Sequence, residues 1–110
     1  RALGEEVARR TREEGWARDP QLSLDRLARH MGLNRAYLSR ALNEGLGTGF
    51  SAFVNALRSE EVARSLEAGS DTMLLDLALE AGFASKATFN RAFMQRYGMS
   101  PSTYRARLES

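Results

Sequence analysis

Residues Leu77–Tyr97 read LALEAGFASKATFNRAFMQRY, a pattern that predicts two helices meeting at a tight turn. In the first helix, apolar residues recur at i, i+1 and i+4, as one buried face requires; they are Leu77, Ala78 and Ala81. Gly82 follows at the turn, where a residue that adopts positive φ without steric penalty is favoured. The stretch therefore predicts a sharp corner between two short helices.

The second helix of this pair has one apolar side and one basic side. Ser85 is placed to cap it, because a serine hydroxyl can accept a hydrogen bond from a first-turn amide. The spacing i, i+3, i+4 and i+8 predicts a buried side of Phe89, Ala92, Phe93 and Tyr97. The outward side carries Ala87, Asn90, Arg91 and Met94, with Lys86 at the start of the helix. Residues 85–97 contain no acid, and a helix with a packed back and a basic front suits the DNA major groove.

The same pattern occurs once more, earlier in the chain. LARHMG at residues 27–32 matches LALEAG fifty positions later, and beyond the turn the offset becomes fifty-one because the second copy has one extra turn residue. Asn34 then corresponds to Ser85 as the cap, and Arg40 corresponds to Arg91 on the outward side. One such corner is weak evidence, since many helical proteins contain one. Two copies in register, each with an outward arginine, predict two helix-turn-helix units.

The outward residues of the first copy are Ala36, Ser39, Arg40 and Asn43, with Arg35 at the start of the helix. Its inward residues are Leu38, Ala41 and Leu42. Because the outward residues of the two copies differ, any DNA site that they read together should be asymmetric.

Composition limits the other functions that the chain can have. The 110 residues carry a net charge of +2, too little for a nonspecific polycation, and Lys86 is the only lysine among 16 basic residues. Arginine suits guanine edges and phosphates. There is no cysteine and one histidine, His30, so we expect no cofactor or metal. No paired carboxylates, activated nucleophile or phosphate-binding loop is visible, and we do not expect an enzyme.

The remaining segments predict an all-α protein. We expect a helix over Ala2–Glu14, a helix capped by Ser23, and a last helix that starts at Ser100-Pro101 and folds Tyr104 and Leu108 onto the second core. The helical pattern of the first copy should be interrupted by Gly45, Gly47 and Gly49. Predicted boundaries are 1–48 for the first subdomain, 49–69 for a linker helix and 70–110 for the second subdomain, together one DNA-binding domain.

The linker is predicted as one long helix over Gly49–Ala68 that serves a core at each end. About eighteen helical residues span roughly 27 Å, and each repeat alone is near the size at which a hydrophobic core becomes marginal. No apolar run is long enough to span a bilayer, and no signal peptide is visible. The chain starts at Arg1 rather than methionine, so we expect a fragment of a longer regulator whose sensor or effector domain lies outside it.

From about Leu22 to Arg105 the chain resembles the DNA-binding domain of AraC/XylS-type bacterial transcription regulators. The matching segments are LARHMGLNRAYLSRAL, the mid-helix Arg58, LALEAGFASKATFNRAF and YGMSPSTYR. The resemblance implies seven helices, in which a long helix joins two helix-turn-helix subdomains whose recognition helices enter successive major-groove segments. We further expect a cytoplasmic, nucleoid-associated regulator with RNA polymerase as a partner; whether it is an activator or a repressor, and whether the longer protein has a membrane tether, are left open.

Carried over by position, the resemblance identifies DNA-facing residues on both recognition helices. In the first they are Arg35, Ala36, Ser39 and Arg40; in the second they are Lys86, Ala87, Asn90 and Arg91, with Thr88 nearer the backbone. The helix N-termini at Asn34 and Ser85 are expected to contact phosphate. Two departures stand out: Leu42 and Asn43 occupy positions where the family usually has phenylalanine and lysine, which makes the first copy less basic.

Two alternatives remain for the partner. The chain binds double-stranded DNA as a monomer, at half-sites about one turn or on the order of 10 bp apart, or it is a helical protein–protein co-regulator module that does not bind DNA. Affinity for duplex DNA at several salt concentrations separates the two, because neutralising phosphates makes binding strongly dependent on salt.

Overall fold

The computed structural model describes residues 2–110, and every regular element in that range is helical. Seven α-helices follow one another: α1 Ala2–Glu14, α2 Leu24–Met31, α3 Arg35–Leu46, α4 Phe50–Glu67, α5 Leu74–Glu80, α6 Lys86–Tyr97 and α7 Pro101–Glu109. A single 3₁₀ turn lies at Trp16–Arg18. The predicted all-α fold of seven helices, with two helix-turn-helix subdomains and a long helix between them in sequence, is confirmed.

The chain forms two compact units that divide within α4: the first ends at Val54 and the second is Asn55–Ser110. The predicted boundaries at 48 and 69 follow the ends of the helix instead and stay a prediction. None of the helices within residues 2–110 has the length and hydropathy needed to cross a membrane.

The core of the first unit forms where α1 packs along α3. Val7 on α1, Leu27 on α2 and Leu38 and Leu42 on α3 are fully buried. The predicted helix break at Gly45 is wrong, because α3 continues to Leu46 and ends at Gly47, whose φ is 69°. That left-handed conformation is unfavourable for an L-residue and not for glycine, so Gly47 is the residue that terminates α3.

Aromatic rings dominate the core of the second unit. Phe83, Phe89 and Phe93 are almost fully buried. The ring centroid of Phe89 lies 5.3 Å from that of Phe83 and 5.9 Å from that of Phe93. Tyr104 on α7 meets Phe93 edge-on at 5.3 Å, as predicted. Leu108, which was expected to pack on this core, is instead 48% exposed, because only the first turns of α7 reach the aromatic cluster.

Helix α7 is fixed to the segment before α5 by one arginine. Arg105 donates hydrogen bonds from Nη2 to the carbonyl oxygens of Ser70 at 2.9 Å and Thr72 at 2.7 Å. The hydroxyl of Tyr104 also donates a hydrogen bond to the Glu67 carboxylate at the end of α4. These contacts hold the loop that leads into the second helix-turn-helix.

Candidate nucleic-acid interface

Both helix-turn-helix corners are built by the same backbone bond. After α2, Gly32 adopts φ 68° and the Leu33 amide donates to the Ala28 carbonyl at 2.9 Å. After α5, Gly82 adopts φ 109° and the Phe83 amide donates to the Ala78 carbonyl at 3.0 Å. This bond, from the residue after the glycine to the carbonyl five residues earlier, closes the C-terminus of the helix and reverses the chain. The repeat read from the sequence is therefore a repeat of structure.

The helix that precedes each corner begins differently in the two copies. Ser23 caps α2, since its Oγ accepts a hydrogen bond from the Arg26 amide at 3.1 Å. Met73 occupies the corresponding position before α5 and supplies no side-chain cap. The Arg105 contacts described above hold the approach to α5 in place of that cap.

The caps of helices α3 and α6 agree with the sequence prediction. The Oδ1 atom of Asn34 accepts hydrogen bonds from the amides of Ala36 at 2.8 Å and Tyr37 at 3.2 Å. Ser85 Oγ accepts one from the Thr88 amide at 3.2 Å. Within the described residues, α6 therefore keeps two first-turn amides without an intramolecular acceptor, and α3 keeps one. Free first-turn amides at a helix N-terminus attract anions.

The outward side of α3 is accessible to a partner. Its candidate residues Arg35, Ala36 and Arg40 are exposed and Ser39 is half-buried, opposite the buried Leu38 and Leu42. Arg40 makes no side-chain hydrogen bond or ion pair within residues 2–110, so its guanidinium is available.

Arg35 has a competing partner that the spacing of residues in the sequence does not indicate. Asp25 on α2 approaches it, with Oδ1 3.5 Å from the Arg35 Nε, and the two side chains are 60% and 66% exposed. An exposed pair of this kind is weak, in the range of about 0–1 kcal/mol. Arg35 can therefore leave the carboxylate for a phosphate, but it does so at some cost.

The outward side of α6 contains a short hydrogen-bond network that leads to its arginine. Thr88 Oγ1 accepts hydrogen bonds from Ser85 Oγ at 3.0 Å and from Arg91 Nη2 at 3.5 Å. The second of these is at the limit of a hydrogen bond, and it inclines Arg91 toward the N-terminus of the helix. Thr88 accepts in both contacts, so its own hydroxyl proton remains available to a phosphate oxygen.

The other candidates on α6 lie on the same side as Arg91. The exposed ones are Lys86, Ala87 and Asn90, and Thr88 is half-buried, whereas Phe89 and Phe93 face the core. Helices α3 and α6 thus each bring their own candidate residues together, within their own unit. Tyr37, on the first turn of α3, is 50% exposed as well and was not among the sequence candidates. Its position, one residue before the buried Leu38, gave no periodic signal for exposure.

Comparison with known proteins gives a consistent result. The profile of a helix-turn-helix domain family matches residues 27–107. The "Probable transcription factor PqrA" of Proteus vulgaris is 32% identical over 88 residues, which are 80% of this chain and 71% of that protein. The chain spans only 11% of the length of the first curated relatives that it matches; one of these, an HTH-type transcriptional regulator of Staphylococcus aureus, is 38% identical over 84 residues.

Two solved structures share the fold. A transcriptional regulator of Chromobacterium violaceum, described as containing an AraC-type DNA-binding domain, superposes with a TM-score of 0.79 at 23% identity, over 98% of this chain and 96% of that one. The DNA-binding domain of the global transcriptional factor AdpA, solved in complex with a target DNA, superposes with a TM-score of 0.77 at 25% identity, over 94% and 90% of the two chains.

Proposed function

The chain belongs to the AraC-type helix-turn-helix family of DNA-binding transcriptional regulators, and on that premise we propose that it reads a specific duplex sequence with α3 and α6 in successive major-groove segments. The observation that carries the proposal is the paired placement of Arg40 and Arg91. Both are exposed, at equivalent positions of two capped helices whose opposite sides are buried. The family is one of DNA-binding regulator domains and not of enzymes.

Specific reading is assigned to the outward side chains of the two helices. The guanidinium groups of Arg40 and Arg91 can pair bidentately with guanine, and the Asn90 amide can pair with adenine; one good pair discriminates by about 1–3 kcal/mol. Ala36 and Ala87 are small enough to let the helices approach the bases and touch a thymine methyl group.

Affinity is assigned mainly to contacts with the DNA backbone. Arg35 and Lys86 stand at the starts of the recognition helices, and the free first-turn amides beside Asn34 and Ser85 add partial positive charge. Thr88 contributes a hydroxyl donor. These contacts are independent of sequence, so they fix the position of the helices on the duplex without selecting bases.

Three further features belong to the same proposal. The site is asymmetric, because Ser39 and Asn90 occupy equivalent positions, and its half-sites lie about one turn, on the order of 10 bp, apart. Where the protein does not match that spacing, the DNA bends at a cost of about 1–6 kcal/mol. The domain binds as a monomer in the cytoplasm, and the full regulator controls transcription together with RNA polymerase and a sensor domain.

The proposal is tested by selecting bound sequences from a random duplex pool and measuring affinity at several salt concentrations. Several phosphate contacts give a log–log slope of about −0.9 for each phosphate neutralised. Arg91→Ala should weaken binding to the selected site about tenfold and relax the choice of base at one position. The matched control Arg107→Ala removes the same charge from α7 and should leave base choice unchanged. Equal effects of the two substitutions would contradict the assignment.

A protein–protein module is the second candidate, and one observation favours it. Leu75 and Leu79 lie one turn apart on α5 and are 42% and 49% exposed. Together they form a small apolar surface of the kind that a protein partner covers. Binding to DNA with a flat salt response and no selected sequence would favour this module over a sequence-specific regulator.

A further inference from the structure

Met94 is an apolar side chain on the otherwise polar outward side of α6. It follows Asn90 by four residues and Arg91 by three, so the helical period places all three on one side. Its side chain is 48% exposed, while the neighbouring Phe93 is fully buried. Met94 therefore does not serve the core of the second unit, and it stands beside the two residues assigned to base reading.

The equivalent residue of the first copy behaves differently. Asn43 occupies that position on α3, and its Nδ2 donates a hydrogen bond to the Ser39 carbonyl of its own helix at 3.0 Å. The Asn43 amide is thus partly satisfied within α3, whereas Met94 has only apolar surface to offer. The two recognition helices differ in chemistry at one shared position.

We propose that Met94 contacts the C5 methyl group of a thymine in the major groove, one base pair beyond the pair that Arg91 contacts. The inference rests on the proposed function, since it requires α6 to lie in that groove. Thymine is the only one of the four bases with a methyl group on its major-groove edge, and apolar side chains recognise it there.

The spacing along the helix supports the adjacent base pair. Three residues advance about 4.5 Å along an α-helix axis, and successive base pairs are separated by about 3.4 Å. A methionine side chain is unbranched and flexible, so it can adjust its conformation to contact the methyl group.

The surrounding charge favours DNA over an apolar protein partner for this residue. Helix α6 carries Lys86, Arg91 and Arg96 and no acid. The exposed leucines of α5, in contrast, stand beside the acidic Asp76 and Glu80, which a phosphate backbone would repel. Met94 is therefore an exposed apolar side chain in surroundings that suit a nucleic acid.

The experiment combines a protein substitution with a DNA substitution on the 110-residue chain. In the selected duplex, each thymine is replaced in turn by deoxyuridine, which removes only the C5 methyl group. At one position next to the base read by Arg91, the parent protein should lose about fourfold in affinity, as expected for one buried methyl group. Met94→Ala should bind the thymine duplex about fourfold more weakly and should not respond to the replacement.

Two further variants sharpen the test. Met94→Leu keeps an apolar surface and should retain the preference for thymine, whereas Met94→Gln, similar in length but polar, should lose it. The matched control Asn43→Ala changes the equivalent position of α3 and should leave the response to deoxyuridine at that base pair unchanged. Thermal unfolding of each variant checks that the exposed substitution leaves the fold intact.

The outcomes separate the inference from the proposed function. If every thymine replacement affects the parent and Met94→Ala equally, the Met94 assignment is wrong while DNA reading by α6 stands. If the parent selects no sequence at all, the proposed function itself fails, and the inference fails with it.

Discussion

Gly4 on α1 lies so close to α3 that a β-carbon added to it would stand 3.0 Å from the carbonyl oxygen of Ala41. The Cα atom of Gly45 would be 3.3 Å away, so a methyl group would be tightly packed against backbone atoms, and α1 or α3 would have to shift by a few tenths of an ångström. We expect Gly4→Ala to lower the free energy of unfolding by about 1 kcal/mol. Overpacking costs about 1–3 kcal/mol, and the better helix propensity of alanine returns up to about 1 kcal/mol.

Urea denaturation of Gly4→Ala beside the control Glu14→Ala measures this effect. Glu14 is exposed at the end of α1, so its substitution should change stability by less than about 0.5 kcal/mol. A Gly4→Ala protein as stable as the parent would mean that α1 can move away from α3 without loss of packing.

Local features of this protein could be predicted from its sequence, and the contact between Gly4 and α3 shows why other features could not. The caps at Ser23, Asn34, Ser85 and Ser100 depend on residues within three positions, and each forms as expected. The approach of Gly4 to α3 joins segments about forty residues apart, and periodicity carries no information on such pairs. For the same reason the sequence predicts a break at Gly45, whereas the structure places its Cα atom in α3 against Gly4.

The candidate site likewise has features that the sequence predicts and features that it does not. The outward faces of α3 and α6 follow from helical period alone, and the candidate residues on them are exposed except Ser39 and Thr88, which are half-buried. The pairing of Arg35 with Asp25 depends instead on the angle between α2 and α3, which the spacing of apolar residues does not fix. Which bases the side chains contact depends on the DNA as well, and no pattern within one chain contains that information.

Ser59 on α4 provides a second stability test. Its side chain is fully buried, and its Oγ has no hydrogen-bond partner within the described residues. A buried polar atom without a partner costs about 1–3 kcal/mol, so Ser59→Ala should raise the free energy of unfolding by about 1 kcal/mol. The prediction is unusual in sign, since most substitutions in a core destabilise.

Ser65→Ala is the matched control for this prediction, because it makes the same change on the same helix at a half-buried position. It should contribute only the higher helix propensity of alanine, about 0.5 kcal/mol or less. If Ser59→Ala stabilises no more than Ser65→Ala, the buried hydroxyl has a partner in solution, such as a bound water.

Tyr104 makes the second unit sensitive to alkaline pH. Its hydroxyl donates to the Glu67 carboxylate, and that hydrogen bond, together with burial, raises the pKa of Tyr104 from 10.0 to about 12. Because the pKa is higher in the folded state than in the unfolded state, the stabilisation is complete below pH 10 and is lost as the pH rises to about 12. Unfolding measured across this range should show the loss in the parent and a smaller loss in Tyr104→Phe.

Glu67→Gln tests the cause of that shift. Glutamine still accepts a hydrogen bond but carries no negative charge, so the pKa of Tyr104 should move down toward its ordinary value. Because the chain has three tyrosines, the titration of Tyr104 is followed as the difference in tyrosinate absorbance between each protein and the same protein carrying Tyr104→Phe. An unchanged titration in Glu67→Gln would assign the shift to burial instead of to the carboxylate.

The ion pair between Asp25 and Arg35 predicts a change in DNA affinity when the acid is neutralised. Asp25→Asn releases Arg35 for a phosphate and should tighten binding about twofold, in line with the small energy of exposed pairs. Asp76→Asn is the matched control, because it removes one negative charge from the first turn of α5, where Asp76 is exposed and forms no ion pair within residues 2–110. In an Arg35→Ala background the Asp25→Asn substitution should lose its advantage over Asp76→Asn. If Asp25→Asn and Asp76→Asn tighten binding equally in the parent, net charge alone governs affinity and Arg35 does not exchange its carboxylate for a phosphate.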